Sequence, residues 1–131
     1  MKKILTYGTF DLLHYGHINL LKKAKQQGDY LIVGLSTDAF NLQKGKVAFM
    51  SYEDRVTLLQ SLRAVDVVFP ENDWEQKVAD IKKYNIGLFA IGDDWAGHFD
   101  YLSKYCKVVY MPRTANISST EIRRIIMQKK D

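Results

Sequence analysis

The sequence predicts an α/β fold, a three-layer α/β/α sandwich around a five-stranded parallel sheet. Three observations predict it. Strand-like and helix-like patterns alternate along all 131 residues, which implies crossover connections and parallel strands. The strand segments include short continuous apolar runs such as Leu31-Ile32-Val33-Gly34-Leu35, as strands buried on both faces require. Glycines, hydroxyls and charges gather just after the strands, at the carboxyl edge where open α/β sheets bind ligands.

Each element has its own signal. Lys3–Tyr7 reads as the first strand. Ile18, Leu21 and Ala24 recur at helical spacing, and Gly28 closes that helix. Leu31–Leu35 is the second strand. A looser stretch, Asp38 to Met50, follows and carries Lys44-Gly45-Lys46. Ser51 is a good cap for a helix with Val56, Leu59 and Leu62 on one face. Val65–Phe69 is the third strand, with Pro70 expected to stop it. Asp73, with Gln76 three residues on, is expected to cap the next helix, whose apolar stripe is Val78 and Ile81. Leu88–Ile91 is the fourth strand and ends at Gly92. A short helix is expected around Asp100–Tyr105, with the Tyr84–Phe89 and Tyr101–Tyr105 aromatics in the core. Val108–Met111 is the fifth strand. Ser118 and Glu121 form a capping box for a last helix with Ile122, Ile125 and Ile126 facing inward.

Bulk properties narrow the function. The length fits one domain, residues 1–131. A single cysteine excludes an intrachain disulfide framework and suits a reducing cytoplasm. No leader pattern or membrane-length apolar run is visible, so the expected location is cytoplasmic with no membrane contact. The formal charge is +4, but with Lys2, Lys3, Lys129 and Lys130 set aside, 15 basic residues balance 15 acidic ones. No basic stripe interleaved with aromatics marks a nucleic-acid surface. Dispersed internal cations suit a small polyanion in one cleft.

The most informative segment is Tyr7-Gly8-Thr9-Phe10-Asp11-Leu12-Leu13-His14-Tyr15-Gly16-His17. His14 and His17 lie three apart where a helix begins, so their imidazoles project to one side. A helix N-terminus offers unpaired N–H groups and partial positive charge to a phosphate. Gly16 leaves room for close approach. This is a polyphosphate cradle with two imidazole donors. Zinc is a poor alternative, because Cys106 and His98 are the only other soft ligands and no third ligand is near in sequence. The second helix start, at Ser118, is expected to point at the same cleft.

Gly-Thr-Phe-Asp followed by His-x-Gly-His resembles the nucleotidyltransferase superfamily that includes the cytidylyltransferases. Arg113-Thr114-Ala115-Asn116-Ile117-Ser118-Ser119-Thr120 is similar to the second signature of the cytidylyltransferase branch, with Asn116 at its glycine. Ser36-Thr37-Asp38, Tyr52-Glu53-x-Arg55, Trp74-Glu75-Gln76-Lys77 and Gly92-Asp93-Asp94-Trp95 extend the likeness over nearly the whole chain. The resemblance implies the strand order 3-2-1-4-5 and a homodimer. It also implies transfer of the cytidylyl group of CTP to a glycerol phosphate, with Mg²⁺ on the leaving pyrophosphate. The product this implies is CDP-glycerol for teichoic acid or a related cell-surface polymer.

Residue roles follow from side-chain type together with that resemblance. His14, His17, Lys44, Lys46 and Arg113 are the expected catalytic group. The CTP site adds Gly8, Thr9, Phe10, Asp11, Gly16, Arg63, Asp94, Thr114, Ile117, Ser118, Ser119 and Thr120. Asp94 is placed to accept from the cytosine amino group, and Asp11 to support either a metal or the turn. Lys44, Lys77, Asp38 and Arg55 form the acceptor group. Lys44 and Lys46 are expected to close over the site. Read without the resemblance, Arg55 is a surface residue or ion-pair partner, Trp74 is packing or a substrate wall, and Asp66 is structural or lies at a subunit interface. Two other readings compete. One keeps the enzyme class and changes the acceptor to phosphocholine, phosphoethanolamine, glycerol 2-phosphate or another sugar phosphate. The other is a non-catalytic nucleotide-binding module, which would not need both histidines, both lysines and Arg113.

Overall fold

The computed structural model describes residues 1–114 and 118–128. Its centre is β1 (Lys3–Gly8), which pairs with β2 (Tyr30–Ser36) on one side and β4 (Leu88–Gly92) on the other. β3 (Val67–Glu71) and β5 (Lys107–Met111) complete a wholly parallel five-stranded sheet in the order β3-β2-β1-β4-β5. The expected fold class and strand order are both present.

Alternation along β1 creates two cores. Ile4 packs with Leu21, Ala24, Val33 and Leu59, under α1 (Tyr15–Gln26) and α3 (Tyr52–Gln60). Leu5 and Tyr7 pack on the opposite face with Ile32, Ile81, Phe89 and Leu102, under α4 (Lys77–Lys83) and the short helical turn Asp100–Lys104. Fully burying each such aliphatic side chain stabilises by roughly 1.5–3 kcal/mol. Gly34 is required by this packing. A Cβ there would come within 2.3 Å of the Tyr7 ring, which lies beside it in register.

Several local expectations are corrected. The stretch after β2 is not wholly loose, because α2 (Asp38–Gln43) forms there, capped by the Thr37 hydroxyl accepting from the Phe40 amide. Pro70 does not stop β3, which continues to Glu71. β3 is an edge strand, where a missing N–H costs no ladder bond. Asp73 does not cap α4. Its carboxylate accepts from Glu75, and the Gln76 side chain accepts from the Asn72 and Asp73 amides. α5 (Ser119–Gln128) forms, with Ser118 Oγ accepting from the Glu121 amide, but Ile125 and Ile126 are exposed. Tyr101 and Tyr105 are also exposed, and only Leu102 of their turn is buried. Asp66 is structural: it accepts from the Leu31 amide and pairs with Lys25.

Candidate active site

The site begins with a strained turn. After β1 the chain passes through Phe10 at φ 49° and Leu12 at φ 50°, a left-handed region that side chains enter only when surroundings hold them there. Buried Asp11 is the holder. Its carboxylate accepts from the Phe49 amide at 2.7 Å, the Met50 amide at 3.0 Å and Arg123 at 2.8 Å. Its carbonyl accepts from the Ser119 hydroxyl on α5. Burial works to raise the Asp11 pKa, but the two amides and Arg123 outweigh it and hold the carboxyl below its ordinary range. A Cβ at Gly8 would lie 2.8 Å from the Phe10 ring, so glycine lets this ring fold back over the strand end.

The turn delivers His14 and His17 to the start of α1. His14 is the N-cap: its Nδ1 accepts from the Gly16 amide at 3.1 Å, and its own amide donates to His17 Nδ1 at 3.2 Å. Two imidazoles thus do the reciprocal capping normally done by a hydroxyl and a carboxylate. The rings stack with centroids 3.9 Å apart. Burial lowers both pKa values, and His14 beside it helps take His17 to about 4. Both rings are therefore neutral at neutral pH. With each Nδ1 accepting, each proton is on Nε2. His14 Nε2 is buried without a hydrogen-bond partner, a donor held ready for a ligand.

These rings line a cleft of about 280 Å³ at the carboxyl edge of the sheet. Gly8, Thr9 and Phe10 come from the end of β1, Gly16 from α1, Asp94 from beyond β4, and Arg113, Thr114, Ser118 and Ser119 from beyond β5. Thr6, Leu20 and Ile91, which the sequence reading missed, complete the wall with Tyr7, Gly92 and Trp95. Thr6 Oγ1 is a second buried polar atom without a partner. Asn19 donates to the Thr114 hydroxyl at 3.2 Å and ties α1 to the segment after β5. Arg113 and Asp94 approach to 3.6 Å as an exposed pair.

A smaller recess opens beside it and shares Tyr7, Gly8, Ile91 and Trp95. Lys44 and Lys77 line it together with Glu71, Trp74 and Phe99. A buried chain of charge organises it. Lys77 Nζ donates to Glu71 Oε2 at 3.0 Å, Ser36 Oγ donates to Glu71 Oε1 at 2.8 Å, and Lys44 Nζ donates to Ser36 Oγ at 3.1 Å. Burial lowers the Lys44 pKa, while the Glu71 charge works against that. Glu71 was not foreseen. Its signal was a lone carboxylate just past an apolar strand.

Other expected site residues do not converge here. Arg55 is not a surface residue. It is fully buried and donates to the Met50, Thr9 and Ser36 carbonyls and to Asp38 Oδ1. It pins the ends of β1 and β2 to α3, and Asp38 is its exposed counter-ion. Lys46 is exposed and lines a separate shallow recess with Asp38 and Leu42, apart from Lys44. Arg63 is exposed beyond α3, in the segment leading to Asp66, whose amide pairs with Leu31 at the start of β2. That is the amino edge of the sheet, opposite the cleft. Thr120 is exposed on α5 outside the cleft wall. Ile117, with Ala115 and Asn116, lies outside the described residues.

The described residues offer no site for a metal held by protein ligands alone. Among the described residues no three His, Cys, Asp or Glu side chains gather as a metal-binding group, and the Asp11 oxygens already receive two amides and an arginine.

The arrangement is a cleft of two neutral imidazole donors, an arginine and a helix N-terminus, suited to holding phosphate rather than to forming a covalent intermediate. Comparisons with known proteins give the family. The cytidylyltransferase-like family model matches residues 5–125. The chain is 60% identical over 126 residues to a glycerol-3-phosphate cytidylyltransferase of Bacillus subtilis, covering 96% of this chain and 98% of that one. It is 50% identical over 129 residues to the protein of the same name in Staphylococcus aureus, covering 98% of both. The crystal structure of a lipopolysaccharide core biosynthesis protein from Thermoplasma volcanium superposes with a TM-score of 0.77 at 25% identity, covering 87% of this chain and 98% of that one. With the paired histidines, the strand order and this near-full-length likeness in agreement, the chain belongs to the cytidylyltransferase-like family of nucleotidyltransferases.

Proposed function

We propose that the chain transfers the cytidylyl group of CTP to glycerol 3-phosphate, giving CDP-glycerol and pyrophosphate. The observation that carries this reading is the junction of two anion-receiving sites on one sheet edge, one lined by His14 and His17 and the other by Lys44 and Lys77. The names of its 60% and 50% identical relatives supply the acceptor.

The larger cleft takes CTP, with its triphosphate across the N-termini of α1 and α5. Arg113, Thr114, Ser118 and Ser119 receive the β- and γ-phosphates, and Asp94 receives the cytosine amino group once Arg113 turns to phosphate. The smaller recess takes the acceptor. A phosphate oxygen of glycerol phosphate attacks the α-phosphorus. A new P–O bond forms, the bond to the bridging oxygen breaks, and its electron pair leaves with pyrophosphate. The second pKa of a phosphate monoester is about 6, so the nucleophile is already ionised and no general base is needed. The work left is positioning two anions and stabilising charge on the transferring group. His14 and His17 supply that as fixed Nε2–H donors. Mg²⁺ enters on the triphosphate as part of the substrate and neutralises charge on the leaving pyrophosphate.

We extend the reading to a cytoplasmic homodimer that feeds teichoic acid or a related cell-surface polymer. Among the described residues no helix is long and apolar enough to cross a membrane. The test is an end-point assay with CTP, Mg²⁺ and a panel of phosphorylated acceptors, reading pyrophosphate and identifying the CDP product. Preferential formation of CDP-glycerol from glycerol 3-phosphate is expected. A product from another acceptor alone would reject the assignment.

A further inference from the structure

Lys77 is an unusual resident for a binding recess. Its side chain is 2% exposed, and its ammonium stands 4.6 Å from the Tyr7 ring centroid, 5.2 Å from Phe99 and 5.5 Å from Trp74. Aromatic faces gathered round one ammonium are how proteins recognise amine head groups. Here the box is filled from within by the protein's own amine. Lys44 repeats the arrangement beside it, 4.5 Å from Phe40 and 5.7 Å from Trp74.

We propose that Lys77 is a specificity-determining residue: by occupying the aromatic box it admits a phosphorylated neutral polyol and rejects phosphorylated amino alcohols. The inference rests on the recess being the acceptor site. Lys77 has three N–H donors, and one goes to Glu71. A substrate hydroxyl accepts from another and donates onward to Glu71. A substrate ammonium has no lone pair to offer and meets Lys77 as a like charge where little water intervenes. Nor is a carboxylate free to receive it. Glu71 already neutralises Lys77 and, through Ser36, steadies Lys44. Asp80 lies outside the recess wall, and its Oδ2 accepts from the Tyr7 hydroxyl at 2.7 Å and from Gln76 at 2.8 Å.

The test uses a matched pair of acceptors, 2-hydroxyethyl phosphate and 2-aminoethyl phosphate, which differ only in hydroxyl against ammonium. On the unmodified enzyme kcat/KM is expected to favour the hydroxyl acceptor by at least about a hundredfold, the size of one unrelieved like-charge contact. Comparable use of the two would overturn the proposal. In Lys77→Ala the box is vacated and Glu71 is left to pair with a substrate amine. That preference is then expected to fall by at least about tenfold. An equal loss with both acceptors would make Lys77 merely structural and reject the inference. Should this variant fail to fold, the matched pair on the unmodified enzyme still decides. Failure of the unmodified enzyme to use glycerol 3-phosphate would reject the acceptor reading, whereas an unchanged hydroxyl-to-amine ratio would reject this inference alone.

Discussion

The nucleotide cleft and the acceptor recess share Tyr7, Gly8, Ile91 and Trp95 in their walls, and they handle charge in opposite ways. In the cleft the buried polar groups are neutral, and two of them, His14 Nε2 and Thr6 Oγ1, have no partner. In the recess the buried groups are ionic, and the side-chain oxygens and ammonium groups of Ser36, Glu71 and Lys77 all have partners. An uncommitted donor lowers the energy of a ligand that arrives or of charge that develops later. A committed ion pair is spent before the ligand arrives, so it selects by shape and sign. The cleft is therefore built for reaction and the recess for choice.

Arg55 holds both regions, since one guanidinium nitrogen bonds Thr9 beside the cleft and Ser36 beside the recess. Arg55→Met is expected to have the largest effect on stability. It leaves buried carbonyls and Asp38 without their donor, at about 3–5 kcal/mol. Both substrates should suffer together in kcat/KM. Urea denaturation checks the first claim. A loss under about 1 kcal/mol would mean the two regions are held independently.

Much of the cleft was legible in the sequence, because its residues sit in two short segments at helix starts and local spacing places them. The strand order agreed with the likeness to a known family. The recess was less legible. Its charge chain joins residues on β2, just past α2, on β3 and on α4, and no local pattern announces such a meeting. For Arg55 the ion pair was legible but the burial was not, for the same reason: its other partners lie up to 46 residues away. Arg63 was misplaced because α3 runs antiparallel to the strands and carries its far end to the other edge. α2 was missed although Thr37 is an ordinary capping residue, since a six-residue helix has little periodicity.

The cleft's role in reaction is tested next. His14→Ala and His17→Ala are each expected to lower kcat by about 10²–10³, the usual effect of one preorganised donor. Stability should fall by about 1 kcal/mol, because both rings also cap α1. Loss confined to KM would reassign them to ground-state binding.

Neutral imidazoles also predict a pH dependence. The folded state holds His17 at about 4 against an ordinary 6.5, so the unfolded chain takes the proton more readily. Stability is full above about pH 6.5 and falls as the pH drops toward 4, by up to about 3 kcal/mol. Asp11, lowered from 3.8, contributes only at still lower pH. His17→Asn should flatten the fall between those limits when melting temperature is followed against pH. An unchanged slope would mean the imidazole is not held neutral.

The smallest effect separates the two regions most cleanly. Ser36 is fully buried and links Lys44 by hydrogen bonds to the Glu71–Lys77 pair: it accepts from one and donates to the other. It contributes nothing to the cleft wall. Ser36→Ala removes one hydroxyl and opens little space, so the fold should survive. Lys44 loses its anchor, while Lys77 keeps its carboxylate. The expected result is a rise in acceptor KM of about fivefold, equivalent to about 1 kcal/mol, the usual net worth of one hydrogen bond. CTP KM and kcat should hold. Initial-rate kinetics with each substrate varied in turn read the two apart. A parallel rise in CTP KM would show that the cleft and the recess act as one site, and the contrast between uncommitted and committed charge would no longer describe how the enzyme divides its work.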